Sequence, residues 1–447
     1  MPARSQVHLA ARSSQLAAVT LMARLSRTHF PPSFFDLPTR TGRGVPGEVV
    51  ERWVRSDRSA GAAREILAPT VVRGTVVATD AAGLTRLTRR RGLVEMLTLL
   101  DRPKELVHAY GCAAGGEGVG VWAADNTLMF YPEPAVGAAD VARMLLALRD
   151  RLAAECEVGI GAAAHRGAFY RLGDALLGPD AEAADEVAES ETEGGEVVLT
   201  AAFVAALGEG APRFALEPRP PGGSGVSTVR LVDGPRPAPG ALDAANVAYP
   251  IPYSAEFHAE MRRCREAGGA APEALERRFA ADRAVVLVER EREQAAPADT
   301  AEAVLLDELA LTVAMRRVGD ELLARLGYSS GGETVKTAGR LGIYVFADCD
   351  AAVAFARRFR AELAEQGIAS RIGIDAGPVL LFDLDGDGTR DIAGTPVNLA
   401  SKMAQDRGAM GRIYLTAEAR ARLRAPDAGW RPVRFEVSGM VVEGWEG

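Results

Sequence analysis

The chain has 447 residues and a formal net charge of −8, with 48% hydrophobic and 25% charged residues, the balance of an ordinary globular protein of two or three domains. An acidic chain without a long basic run excludes nucleic acid as the main partner, because phosphate backbones demand a clustered positive face, and no stretch reaches the roughly 18–20 apolar residues that span a bilayer. Cys112, Cys156, Cys264 and Cys349 stand far apart without metal-type spacing and read as free thiols of a reducing cytoplasm, and the five histidines form no zinc or triad set.

In chain order, residues 1–35 carry Arg4, Arg12, Arg24 and Arg27 and no acid before Asp36. The apolar run 16–23 is broken by Thr20 and too short for a signal peptide, so an amphipathic docking helix is expected there, within an N-terminal helical extension over 1–69. A β-rich run at 71–78 opens a first domain, expected over 70–234. A helical stretch follows, then a Gly-rich segment at 114–120 read as a flexible loop, then a hairpin turn at Asp125-Asn126. Val141, Leu145, Leu148 and Leu152 mark one face of an amphipathic helix. A strand, a Gly-rich turn, a short helix and another strand close the domain. The run 218–225 reads as a loop and 235–240 as the true linker, with a connecting helix expected within 235–280.

The same series begins again at 284–288 and is expected to fill 281–447. Val158-Gly-Ile-Gly161 resembles Ile372-Gly-Ile-Asp375 at an offset of 214, and Gly195-Glu-Val-Val-Leu-Thr200 resembles Gly411-Arg-Ile-Tyr-Leu-Thr416 at 216. A period this long is a domain, not a solenoid unit. Strand–helix–strand–strand–helix–strand is the ferredoxin-like order. The expected fold class is therefore α+β, with two elaborated ferredoxin-like (βαββαβ) domains packed as an internal pseudo-heterodimer.

Lysine is the clearest local signal. Only Lys104, Lys336 and Lys402 occur, and the remaining 49 of 52 basic residues (52 − 3) are arginine. A guanidinium fork cannot replace a compact ammonium in a tight polar pocket, so Lys336 and Lys402 are candidate functional residues.

Asp80-Ala-Ala-Gly-Leu-Thr85 resembles the first metal-binding motif of the class III nucleotide cyclases, and the stretch from Asp391 to Lys402 resembles that family's substrate-binding motif, with Asp391 and Asn398 seven residues apart and the basic residue four later. The resemblance covers about 70–234 and 281–435. It implies formation of cyclic AMP or cyclic GMP at a site shared between the two domains, and the polarity of the base-reading residues makes ATP, converted to 3′,5′-cyclic AMP and pyrophosphate, the expected substrate over GTP. The implied roles are two Mg²⁺ or Mn²⁺ ions held by Asp80 and Asp125, adenine read by Lys336 and Asp391, ribose oriented by Asn398, and developing phosphate charge neutralised by Lys402. Charge explains the chemistry: when a 3′-hydroxyl attacks its own α-phosphate, carboxylates must bridge the ions, and positioning dominates. Adenine offers an acceptor at N1 and a donor at N6, matching an ammonium and a carboxylate respectively, whereas guanine reverses that edge.

The two domains are expected to fail in complementary ways. The first has Glu182 and Glu186 where the second has Asn398 and Lys402; the second has Glu289 or a neighbour, and Arg340, where the first has Asp80 and Asp125. One composite site survives, and its pseudo-symmetric twin is disabled. Ala124 stands where the family carries Gly, and Lys402 where it carries Arg. These departures keep open a catalytically inactive homologue that binds a nucleotide or Ca²⁺ and passes a signal to a regulatory protein partner. Asp383-Leu-Asp385-Gly-Asp387-Gly-Thr-Arg-Asp391 has the alternating carboxylates of a Ca²⁺ loop, with Gly394 at the twelfth position instead of Glu.

Overall fold

The computed structural model describes residues 47–81, 92–120, 122, 126–220, 222–238, 249, 253–266, 272–291, 300–327, 331–384, 389–406, 408–424, 429–437 and 440–447. The expected docking helix at the N-terminus lies outside them. The first half runs α1 (Gly47–Arg55), α2 (Ala60–Leu67), β1 (Val71–Ala81), α3 (Leu93–Ala113), β2 (Glu117–Gly118), β3 (Thr127–Pro132), α4 (Ala138–Glu155), β4 (Ile160–Leu172), β5 (Ala175–Leu177), α5 (Pro179–Glu191), β6 (Val197–Thr200), α6 (Ala201–Leu207), β7 (Ala215–Pro218) and β8 (Thr228–Asp233). The second half runs α7 (Ala255–Glu266), α8 (Pro272–Phe279), β9 (Ala280–Arg290), α9 (Ala301–Leu326), β10 (Glu333–Ala338), β11 (Leu341–Phe346), α10 (Cys349–Glu365), β12 (Ser370–Leu384), β13 (Thr389–Ala393), α11 (Thr395–Ser401), β14 (Ile413–Thr416), α12 (Ala417–Ala421), β15 (Arg431–Val437) and β16 (Met440–Glu446). Every element of the first half recurs six helices or eight strands later.

The two sheets have the same strand order, β2-β3-β1-β4-β6-β8-β7 and β10-β11-β9-β12-β14-β16-β15, with β5 and β13 attached to β4 and β12. The first four strands of each are the ferredoxin-like set. The next strand joins parallel to β4 or β12. Amphipathic spacing decides which helix faces cover the sheets. Val141, Leu145, Leu148 and Leu152 of α4 are buried on the first, and Phe355, Phe359 and Leu363 of α10 on the second. Residues 114–120, expected as a loop, instead include β2, which pairs with β3 through Glu117 and Gly118. Glycine-rich sequence hid a strand whose counterpart is β10.

The copies superpose with a sliding offset. Ala162 pairs with Val197 and Ile372 with Ile413, so β4 and β12 correspond at 210. The expected 214 is four residues out of register. Beyond the β4–β5 and β12–β13 hairpins the offset becomes 216, because Tyr170 faces Leu177 while Leu380 faces Ala393, a hairpin six residues longer. The candidate Ca²⁺ loop is that insertion.

In the corrected register His165 and Asp375 are equivalents. His165 Nδ1 lies 3.0 Å from Thr200 Oγ1, and Thr416 Oγ1 donates to Asp375. Both threonines also cap the helix that follows. Burial pushes the Asp375 carboxyl up to about 6, against the opposing bonds from Thr416 and the Ala376 amide. A carboxyl raised in the folded state favours folding below its unfolded value and loses that contribution as pH rises through about 6. Asp375→Asn is therefore expected to raise the melting temperature at pH 7.5 and change it little at pH 4, the difference reaching up to about 3 kcal/mol. Equal shifts at both pH values would refute this.

The short helices that precede each sheet cross over. α1 and α2 pack on α9 of the second copy, burying Val50, Trp53, Ile66 and Leu67 with Leu306 and Leu309, and Trp53 Nε1 donates to Asp307 Oδ1 at 2.9 Å. α7 and α8 pack on α3 of the first copy, where buried Asp101 accepts from Tyr249, His258 and Arg265. Burial pushes the Asp101 carboxyl up, but the bonds from His258 and Tyr249 and the charges of His258 and Arg265 outweigh it and hold it below the usual range. Two reciprocal straps, each ending on a buried aspartate, thus join the halves.

Candidate functional site

Asp80 is the penultimate residue of β1, half-buried, and opposite Gly161 of β4. Its neighbour Thr79 is buried, with Oγ1 2.6 Å from Thr127 Oγ1 at the start of β3, so the two strand ends that bracket the proposed acids are locked together. Asp125 lies outside the described residues. The stretch leading to it is anchored from α3, where buried Lys104 donates from Nζ to the Trp122 carbonyl at 2.6 Å. The third lysine is therefore structural: a compact ammonium fits a site that would not seat a guanidinium.

In the second copy Lys336 stands on β10, beside a register shift, with Nζ 3.6 Å from Asp391 Oδ1 on β13. Arg390 and Glu333 form a second ion pair between the same strands. Asp391 is 7% exposed and accepts from the Ile392 amide at 2.9 Å, while Lys336 keeps a more open side chain. The pair joins two residues 55 apart in sequence (391 − 336). At the corresponding places the first copy has Ala175 and Val119-Gly120.

Asn398 is exposed on α11, and half-buried Lys402 follows at the start of a π-helical turn, Lys402–Asp406. Two glycines set this helix. Gly394 caps it at φ 156°, and a Cβ on Gly373 would meet the Ala400 carbonyl at 2.1 Å, so only glycine lets α11 lie directly on β12. Asp383 stands in β12 opposite Arg390; Asp385 and Asp387 of the candidate Ca²⁺ loop lie outside the described residues.

The composite arrangement follows from which face of the β12–β13 hairpin meets the first copy. Cross-strand partners share a face. Phe382 is paired with Asp391 and Leu380 with Ala393, and this face packs against Val94 and Leu97 at the start of α3, the helix that follows Asp80. Leu381 and Ile392 point the other way, into the second copy's own core. Asp391 of one copy thus lies on the hairpin face that borders α3 of the other, the helix that follows the candidate metal ligand Asp80.

At the twin position, α9 meets the β4–β5 hairpin, and the Tyr170 hydroxyl lies 3.2 Å from Glu302 Oε1. There the equivalent of Asp80 is Glu289, and it is already occupied. Arg371 Nε donates to Glu289 Oε2 at 2.7 Å, and Arg340 Nη1 lies 3.4 Å from Oε1. Arg371 is the counterpart of Gly161, so opposite Asp80 there is no side chain and opposite Glu289 there is a guanidinium. The sequence reading missed this exchange because its register was four residues out. On α5, Glu182, Asp185, Glu186 and Glu189 are all exposed. A helix face this acidic repels a triphosphate.

No family model matches the chain, and no curated protein matches it. Among solved structures it is similar to a class III adenylyl cyclase-like ATP-binding protein from Pseudomonas aeruginosa, at 15% identity over 79% of this chain and 85% of that one, TM-score 0.45. It is also similar to the guanylate cyclase domain of RhGC from Catenaria anguillulae, at 20% identity over 37% of this chain and 94% of that one, TM-score 0.30. A third is the adenylyl cyclase CyaB from P. aeruginosa, at 17% identity over 37% and 96%, TM-score 0.30.

Proposed function

We propose that the chain is a nucleotide cyclase that converts ATP to 3′,5′-cyclic AMP and pyrophosphate at one composite site between its two halves. The observation that carries this reading is the Lys336–Asp391 pair, 3.6 Å apart, with Asp391 on the hairpin face that borders α3, the helix that follows Asp80. In this reading Lys336 donates to adenine N1 and Asp391 accepts from N6. Asn398 fixes the ribose, and Lys402 offsets charge developing on the α-phosphate.

A carboxylate at a strand end facing Gly161 suits a hard cation, and its equivalent in the other copy carries guanidinium groups. Asp80, with Asp125, would hold Mg²⁺ or Mn²⁺, which when bound makes the 3′-hydroxyl a better nucleophile and neutralises the triphosphate. The chain's own residues do the rest by orientation. Lys336 and Asp391 fix the base from one copy while Asp80 stands at the phosphate end from the other, so the reacting ends meet only if the halves keep their register.

The test is product formation by purified protein given ATP or GTP with Mg²⁺ or Mn²⁺. Cyclic AMP made from ATP in preference to cyclic GMP from GTP is expected. ATP binding without any cyclic product would instead establish the nucleotide-binding signalling module.

A further inference from the structure

Phe382, the cross-strand partner of Asp391, is 3% exposed. Its ring is enclosed from the connecting segment: centroids lie 4.8 Å from Phe257 on α7 and 5.1 Å from Tyr253 just before that helix. Phe257 is fully buried and also packs edge-on against Phe279 at 5.2 Å. The opposite edge of α7 is polar and tied to the first copy. His258 Nε2 lies 2.9 Å from Asp101 Oδ1, and Arg265 reaches both Asp101 and Glu105. Asp101 is on α3, whose first turns share the Phe382 cluster. One helix therefore grips the hairpin bearing Asp391 with its apolar edge and the helix following Asp80 with its polar edge.

We propose that Phe257 and Tyr253 are positioning residues for purine recognition: acting through Phe382, they hold Asp391 at its distance from Lys336 and from the first copy. This rests on the reading of Lys336 and Asp391 as the base-reading pair. The hairpin needs such a support because it is six residues longer than β4–β5 and continues two residue pairs beyond Phe382–Asp391, to Leu384–Thr389, where the first copy has already turned. An aromatic cluster restrains it laterally, where β13 is off the main strand order and, among the described residues, its strand pairing is with β12.

The experiment is equilibrium binding of the α,β-methylene analogues of ATP and GTP with Mg²⁺ to the full chain, which reads affinity whether or not the chain turns over. Phe257→Ala is expected to weaken the ATP analogue by about tenfold and to shrink its advantage over the GTP analogue by a similar factor. Phe257→Leu, which keeps most of the apolar volume, should restore most of both and serves in place of Phe257→Ala if that variant does not fold. Trp53→Phe, in the equivalent strap at the twin site, should lower the melting temperature without moving either affinity. Wild-type ATP preference that survives unchanged in both Phe257 variants overturns the positioning role alone. A wild-type chain that binds neither analogue, or both equally, overturns the base-reading pair and the positioning role with it.

Discussion

Asp80→Ala is expected to cut cyclic nucleotide formation by about a thousandfold or more while changing ATP affinity by less than about tenfold. The separation follows from the division of the site. Lys336, Asp391 and Asn398, which would hold base and ribose, all belong to the other copy, so removing a carboxylate from β1 leaves their contacts in place. What is lost is the carboxylate expected to hold the ions, and its cross-strand position, Gly161, has no side chain to take its place. Glu289→Gln is the matched control. It alters the equivalent position in the disabled half, where the side chain is clamped by Arg371 and Arg340. Leaving those guanidinium groups without a counter-charge should destabilise the fold by several kcal/mol while turnover per folded molecule stays near wild type. Single-turnover measurements on folded protein separate the two. If Asp80→Ala keeps more than about a tenth of the turnover, Asp80 does not hold the ions.

Much of this architecture was legible in the sequence because it is written twice. β1 and β9 announced themselves as apolar runs, and the helix faces at 141–152 and 355–363 by their spacing. The candidate residues on the second copy stood out because a lysine in an arginine-rich chain needs a reason. Lys336 and Asp391 were expected to face the same base, and the sheet brings the two within 3.6 Å of each other. What stayed hidden depends on contacts between distant segments. Nothing local in 47–67 or 253–279 says that each pair of helices crosses to the opposite half; burial of Trp53 against Asp307, and of Phe257 against Phe382, decides it. The four-residue register error arose because Val158-Gly-Ile-Gly161 and Ile372-Gly-Ile-Asp375 share a local pattern, whereas the ladder is fixed by pairing to β6 and β14. β2 stayed hidden because its two residues pair only through β3.

Exchanging hydrogen-bond polarity at the base-reading pair is the second large effect expected. In Lys336→Glu/Asp391→Asn the first position becomes an acceptor, matching guanine N1–H, and the second gains an amide donor, matching guanine O6. The present pair presents the opposite order, so each nucleotide meets two good contacts in one protein and two unmatched polar groups in the other. Sites built to hydrogen-bond a substrate reject analogues of wrong polarity strongly, and the ratio of kcat/KM for ATP to that for GTP should fall by about two orders of magnitude or more. Either single change should lose activity on both nucleotides without inverting the ratio, because it leaves like polarity at one of two contacts and also breaks the 3.6 Å ion pair that holds the Lys336 ammonium over the hairpin. Asp391 is nearly buried, so the isosteric Asn, which keeps an oxygen to accept from the Ile392 amide, limits the structural cost. A double variant that loses equally on ATP and GTP, with the ratio unmoved, would mean that this pair holds the hairpin together and that the base is read elsewhere.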